Sequence, residues 1–111
     1  MTKKLSFDEF NKIGVLFSVY GELLTTKQRQ ILDLYFSYNL SLREIGENLN
    51  ISSSAVHDAL QKSVVKLQRY EDLLGLIRVS GSLNDLRQDI ELNKLTMKEI
   101  SERIGEIRDG I

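Results

Sequence analysis

Apolar residues in the first half of the chain recur at helical spacing and stop at turn-forming residues. Phe10, Phe17 and Leu24 stand seven apart, Ile13 and Tyr20 fill the same stripe, and Gly21 marks the end of a first helix. Ser6-Phe7-Asp8-Glu9 marks its start. In such a capping box the serine oxygen and the glutamate carboxylate each accept a hydrogen bond from a backbone N–H that the helix leaves unpaired. Thr25 to Gln28 repeats the device ahead of Ile31, Leu32, Leu34, Tyr35 and Tyr38, predicting a second helix that runs on to Asn39. Ser41-Leu42-Arg43-Glu44 opens a short third helix carrying Leu42, Ile45 and Leu49. Ser52 caps a fourth, with Val56, Leu60, Val64, Leu67, Tyr70 and Leu74 on one face. Turning that helix by about 100° per residue sends Ser54, His57, Asp58, Gln61, Lys62, Val65 and Arg69 to the opposite, solvent-facing arc.

The last third carries a different pattern. Leu76, Val79, Leu83, Leu86, Ile90, Met97, Ile100, Ile104, Ile107 and Ile111 alternate at three and four residues, as in a coiled-coil seam, with Asn93 as the polar intruder. In one long rod a buried Asn93 would fix the register. Ser80-Gly81-Ser82 argues for a break, because glycine weakens a helix by about 1 kcal/mol and serine favours caps. Thr96-Met97-Lys98-Glu99 is a further capping box. Two helices joined near Leu95 are therefore expected. The chain divides on this reading into a four-helix part, residues 1–75, and a helical tail, residues 76–111, that packs back or dimerises.

The 111 residues are enough for one modest core. There is no proline, and Leu, Ile, Glu, Lys, Arg and Gln are abundant, so the fold class is all-α. The absence of cysteine excludes disulfides and thiolate metal sites, and a single histidine cannot build a metal site alone, so no cofactor is expected. Lys3 and Lys4 are followed by Phe7-Asp8-Glu9, and Val15-Leu16-Phe17 is far too short for a signal or membrane segment. A cytoplasmic protein without membrane attachment is the expectation.

Residues 41–63 contain the parts of a helix-turn-helix: a short positioning helix, a turn, and a second helix held at a steep angle by apolar contacts. Ile45, Leu49, Ile51, Val56 and Leu60 are the apolar set, and Gly46 allows close approach. Asn50 occupies the turn position where glycine is usual, and asparagine tolerates left-handed backbone. Leu24 to Leu32, Leu40 to Gly46 and Ile51 to Val56 together resemble the fourth-region helix-turn-helix of bacterial sigma factors. The stretch from about Leu16 to Leu76, including Tyr70-Glu71-Asp72, more closely resembles the YlxM family, small proteins of Gram-positive bacteria and mollicutes encoded beside signal-recognition-particle genes. The resemblance implies a sigma-region-4-like core with a C-terminal helical extension. It also implies a DNA-binding or particle-associated regulator, a positioning helix from Ser41 through Leu49 and a recognition helix from Ser53 onward. Two positions depart from the pattern: Thr26 stands where sigma-like sequences commonly have proline, and Asp58 stands in the exposed arc, where it repels phosphate.

Ser53, Ser54, His57, Gln61 and Lys62 on the recognition helix, with Arg43 from the positioning helix, are the candidate nucleic-acid contacts, since these side chains hydrogen-bond base edges and phosphates. DNA is the expected partner, RNA the variant, and signal-recognition-particle components follow from the resemblance. Net charge tempers the reading. The whole chain carries −1, and residues 25–70 hold six basic against four acidic groups, only +2. Such weak charge favours an alternative, an adaptor that keeps the motif as a scaffold for protein partners. Catalysis is not expected. His57 lacks a partnering acid or nucleophile, Asp58 projects about 100° away from it, and Ser52-Ser53-Ser54 lacks the glycines of a phosphate loop. Tyr35, Phe36 and Tyr38 read as core packing at the end of the second helix. The apolar tail favours a homodimer, the commonest way for a small chain to hide such a stripe.

Overall fold

A computed structural model describes residues 5–111. Lys3 and Lys4 lie outside the described residues. Six α-helices follow one another: α1 Phe7–Tyr20, α2 Thr26–Phe36, α3 Leu42–Leu49, α4 Ser53–Leu74, α5 Leu76–Glu91 and α6 Met97–Asp109, with one 3-10 turn at Gly21–Leu23 after α1. Among the described residues there is no strand, and no helix is long and apolar enough to cross a membrane. The chain divides within α4 into two compact units, unit 1 ending at Tyr70 and unit 2 spanning Glu71–Ile111.

Capping sets where the helices begin. Ser6, Thr25, Ser41 and Thr96 each accept from the backbone N–H three residues on, and at Thr25, Ser41 and Thr96 the Gln28, Glu44 and Glu99 side chains return the bond. Four helices thus start where expected, three on complete boxes and α1 on the Ser6 cap alone, because the Glu9 carboxylate accepts from the Ser6 hydroxyl at 2.9 Å instead of from its backbone N–H. α2, however, stops at Phe36 rather than running to Asn39. Leu40 N–H reaches back to the Leu34 carbonyl at 3.1 Å, and Asn39 takes φ 54°, a left-handed turn that ends the helix. Tyr38 consequently points away from the packed aromatics and is 66% exposed. Phe10, Phe17, Tyr35 and Phe36 form a half-buried cluster, with Phe10 and Phe36 rings centred 4.7 Å apart and Tyr35 edge-on to Phe36 at 5.0 Å, while Tyr20 is the aromatic buried in the core among the described residues.

Unit 1 is built around Ile31, Ile45 and Val56, all fully buried, one from each of α2, α3 and α4. Leu34, Leu40, Leu49 and Ile51 pack around them. On α4 the buried face is Val56, Leu60, Ser63 and Leu67. Ser63 was not part of the expected apolar face. It is tolerated there because its hydroxyl donates to the Ala59 carbonyl at 2.7 Å, leaving no polar group unpaired. Farther along, Tyr70 stacks obliquely on buried Tyr20 at 6.1 Å and donates to the Leu23 carbonyl at 3.3 Å.

In unit 2, α5 and α6 form an antiparallel hairpin. Arg103 pairs with Asp89 at 3.0 Å near the turn, and Arg78 lies beside Gly110 at the other end. α5 runs unbroken through Ser80-Gly81-Ser82, contrary to the expected break. Nothing lies within 4 Å of where a Cβ on Gly81 would be, so this glycine answers to no close contact or turn. The break falls at residues 92–96, around Leu95 as the Thr96 capping box predicts, and there Asn93 adopts φ 54°. Asn93 is therefore a turn residue and not a buried seam position. At the start of α5, Gly75 has φ 63° and no side-chain cap. The Glu71 carboxylate supplies one from the end of α4, accepting from Ile77 N–H at 3.0 Å and Arg78 N–H at 3.1 Å.

Candidate nucleic-acid interface

The turn between α3 and α4 is shaped by two residues. Asn50 ends α3 at φ 59°, ψ 44°, the left-handed conformation that lets the chain reverse. Gly46, one turn earlier, faces the chain as it leaves. Its carbonyl accepts from Ile51 N–H at 2.9 Å, and a Cβ on it would stand 2.6 Å from the Ile51 carbonyl oxygen. The close approach expected at Gly46 is thus made with the backbone of the turn. Ser52 then caps α4, its hydroxyl accepting from Ala55 N–H at 3.0 Å.

This geometry leaves the first turn of α4 open to solvent. Ser53 and Ser54 are both exposed. Arg43 from α3 joins Ser52 and Ser53 around an open polar hollow of about 480 Å³, together with Gly46, Glu47, Asn50 and Ile51. The first turn of α4 carries no acidic residue. The positive end of its dipole is therefore opposed by no acidic residue in its own first turn, Glu47 of α3 being the carboxylate at the hollow.

Electrostatics around the arc are close to balanced. Arg43 Nε pairs with Glu47 at 3.2 Å and Lys62 Nζ with Asp58 at 3.0 Å, each one turn along its own helix. Both pairs are exposed, and such pairs are worth roughly 0.2–1 kcal/mol, so a phosphate can compete for either cation. Lys27 on α2 and Arg69 on α4 are exposed and have no carboxylate at ion-pair distance among the described residues. The sequence placed Arg69 on the arc but gave no reason to rank it above Lys62, because an i, i+4 carboxylate partner becomes evident only once the rotamers are known. The Glu44 carboxyl is held below its ordinary value, first by the Ser41 backbone N–H and then by the Ser41 hydroxyl.

Gln61 and Lys62 lie exposed on α4 as expected, whereas His57 is more covered. It is half-buried and lines a groove of about 370 Å³ with Glu9 and Ile13 of α1, Tyr35 and Phe36 of α2, and Leu60, Gln61, Val64 and Val65 of its own helix. The sequence could not reveal this, since it depends on α1 lying alongside α4. The six candidates thus divide. Arg43, Ser53, Ser54 and Lys62 are exposed away from the groove, Gln61 is exposed at its edge, and His57 is half-buried in it with Glu9 on its wall.

Three buried contacts across α2, α3 and α4, a left-handed turn and a capped second helix define a helix-turn-helix protein. The profile of the UPF0122 family, described as "Putative helix-turn-helix protein, YlxM / p13 like", matches residues 7–107, and the chain belongs to that family. Its relatives include a UPF0122 protein of Clostridium kluyveri, 39% identical over 83 residues that cover 75% of each chain. A UPF0122 protein of Acetivibrio thermocellus is 35% identical, covering 90% of this chain and 97% of its own. Another, from Desulforamulus reducens, is 45% identical over 69 residues, 62% of this chain and 59% of its own. The family match extends through α5 and into α6, beyond the Leu16 to Leu76 stretch on which the resemblance rested.

Proposed function

We propose that the protein is a non-enzymatic regulator that binds nucleic acid through the exposed start of α4, acting as a homodimer in the cytoplasm and in the signal recognition particle pathway. The observation that supports this most is the hollow shared by Arg43, Ser52 and Ser53 at the uncapped-by-acid N-terminus of a long helix. Arg43 and Lys62 supply phosphate contacts, and Ser53, Ser54 and Gln61 reach base edges or backbone oxygens. Duplex DNA is the first ligand, since the second helix of a helix-turn-helix fits a major groove. Particle RNA is the second, by the family resemblance. Fluorescence anisotropy against salt concentration, with labelled duplex DNA and with signal-recognition-particle RNA, tests the reading. Binding that weakens steeply with salt supports it, and no binding of either at low salt by folded protein excludes it.

A second reading is favoured by two observations. The candidate cations are paired with Glu47 and Asp58, and an apolar groove walled by Ile13, Phe36, Leu60 and Val64 runs beside the arc. On that reading the motif is an adaptor for a protein partner, and the anisotropy experiment returns no nucleic-acid binding.

A further inference from the structure

Unit 2 leaves one face of its hairpin apolar and open. Leu76, Leu83 and Ile90 on α5 are 53%, 51% and 40% exposed, and Met97, Ile104 and Ile111 on and just beyond α6 are 82%, 53% and 77% exposed. Within each helix these residues stand seven apart, the spacing of a coiled-coil core position.

The two stripes lie on the same side of the hairpin. The cleft between the helices is lined by Arg78, Val79, Ser82 and Asp85 of α5 and by Arg103, Glu106, Ile107 and Gly110 at α6. Those residues mark the inward faces. Leu83 follows Ser82 by one residue and Ile104 follows Arg103 by one, so each stripe is turned about 100° in the same sense from its inward face. Because the helices run in opposite directions, equal rotations bring both stripes to one side. Leu86, buried, and half-buried Val79, Ile100 and Ile107 line the middle of that hairpin.

We infer that this face is covered by the same face of a second copy, giving an antiparallel four-helix bundle. The inference rests on the homodimer proposed above and assigns its surface. Helices of 16 and 13 residues at 1.5 Å per residue, about 10 Å apart, give a face roughly 20 Å on a side. Side-chain relief raises its roughly 400 Å² of projected area toward the 600 Å² or so per partner at which specific interfaces begin. A helical hairpin of matching length and seven-residue spacing is what fits it, and a two-fold axis supplies one.

The arrangement that sets α5 against the partner's α6 brings Leu76, Leu83 and Ile90 onto the partner's Ile111, Ile104 and Met97. It also brings Glu91, which its own chain pairs with Arg87 at 3.1 Å, to within about 3 Å along the axis of the level of the partner's Lys98, two residues at about 1.5 Å each. This arrangement is the one put to the test.

Sedimentation equilibrium of the full chain tests this, with circular dichroism to confirm helicity. The paired variant Leu83→Gln/Ile104→Gln alters only exposed positions of the single chain, so it keeps its helicity and is expected to raise the dimer dissociation constant at least tenfold. Glu91→Lys is expected to weaken the dimer severalfold and the added Lys98→Glu to restore it. Wild-type protein that is dimeric with an unchanged dissociation constant in the paired variant keeps the dimer and overturns this face. Monomeric wild-type protein overturns both. Loss in Glu91→Lys that Lys98→Glu does not restore overturns this arrangement.

Discussion

Gly46 lies against the carbonyl of Ile51, so closely that a Cβ there would stand 2.6 Å from that oxygen. The neighbouring atoms are backbone, at Ile51, Ser52 and Ser53, and backbone cannot swing aside as a flexible side chain can. Alanine in place of an ordinary helical glycine stabilises by about 1 kcal/mol. Here the sign reverses: Gly46→Ala should destabilise by about 1–3 kcal/mol as the turn is pushed off α3. Urea unfolding followed by circular dichroism measures it, and a stabilised variant would show that the turn yields.

Asn50 sits at φ 59°, where most side chains are strained and glycine is not. Asn50→Gly should fold with stability close to the parent. Asn50→Ala should lose about 1–2 kcal/mol. Equal stability in the two variants, read from the same unfolding curves, would mean that the turn is not held left-handed in solution.

Two cap carboxylates make stability depend on pH in a defined direction. Glu44 and Glu99 are both lowered from their ordinary value of 4.5, chiefly by the backbone N–H groups of Ser41 and Thr96 that they accept. A carboxyl lowered in the folded state binds fewer protons there than in the unfolded chain. Its contribution is therefore present above the ordinary value and lost as pH falls through the lower folded value. Glu44→Gln and Glu99→Gln should flatten the acid side of a melting-temperature profile between pH 6 and pH 3. Gln28 already fills the equivalent position of the Thr25 box, so the boxes themselves should survive the change.

Asp58 holds Lys62 at 3.0 Å and places a negative charge in the arc. If the arc meets phosphates, Asp58→Asn should tighten nucleic-acid binding about two- to tenfold, the magnitude of one exposed ion pair released plus a repulsion removed. Anisotropy titration at fixed salt reads the change. An unaltered or weaker affinity would move the contact away from this side of α4.

The parts of the fold that sequence disclosed are those governed by neighbours in the chain. Ser41 and Glu44, Thr25 and Gln28, and Thr96 and Glu99 are each three residues apart, and the physics of a helix N-terminus fixes what they do. Asn50 belongs with them, because its conformational tolerance is its own. What sequence did not disclose depends on distant partners. Ser63 reads as polar and is buried, because the Ala59 carbonyl satisfies it while α4 packs. His57 reads as part of the solvent arc and lines a groove with residues of α1. Gly81 reads as a break and continues a helix, the glycine cost being outweighed by apolar residues on either side that pack in the hairpin. Of the candidate site, the residue identities were legible. The ion pairs that neutralise Arg43 and Lys62 were not, since charged residues at i, i+4 can pair or point apart.

The central claim is that the exposed start of α4, with Arg43 beside it, contacts phosphates. The most direct test is the slope of log affinity against log salt for the parent and for Arg43→Ala/Lys62→Ala, measured on one duplex and on one particle RNA. The double variant should bind more weakly to the ligand that the parent binds and show a slope shallower by about 1.8 on duplex DNA or about 1.4 on a single strand, because each lost phosphate contact removes about 0.9 or about 0.7. Parallel lines of equal affinity, from a variant folded like the parent, would contradict it.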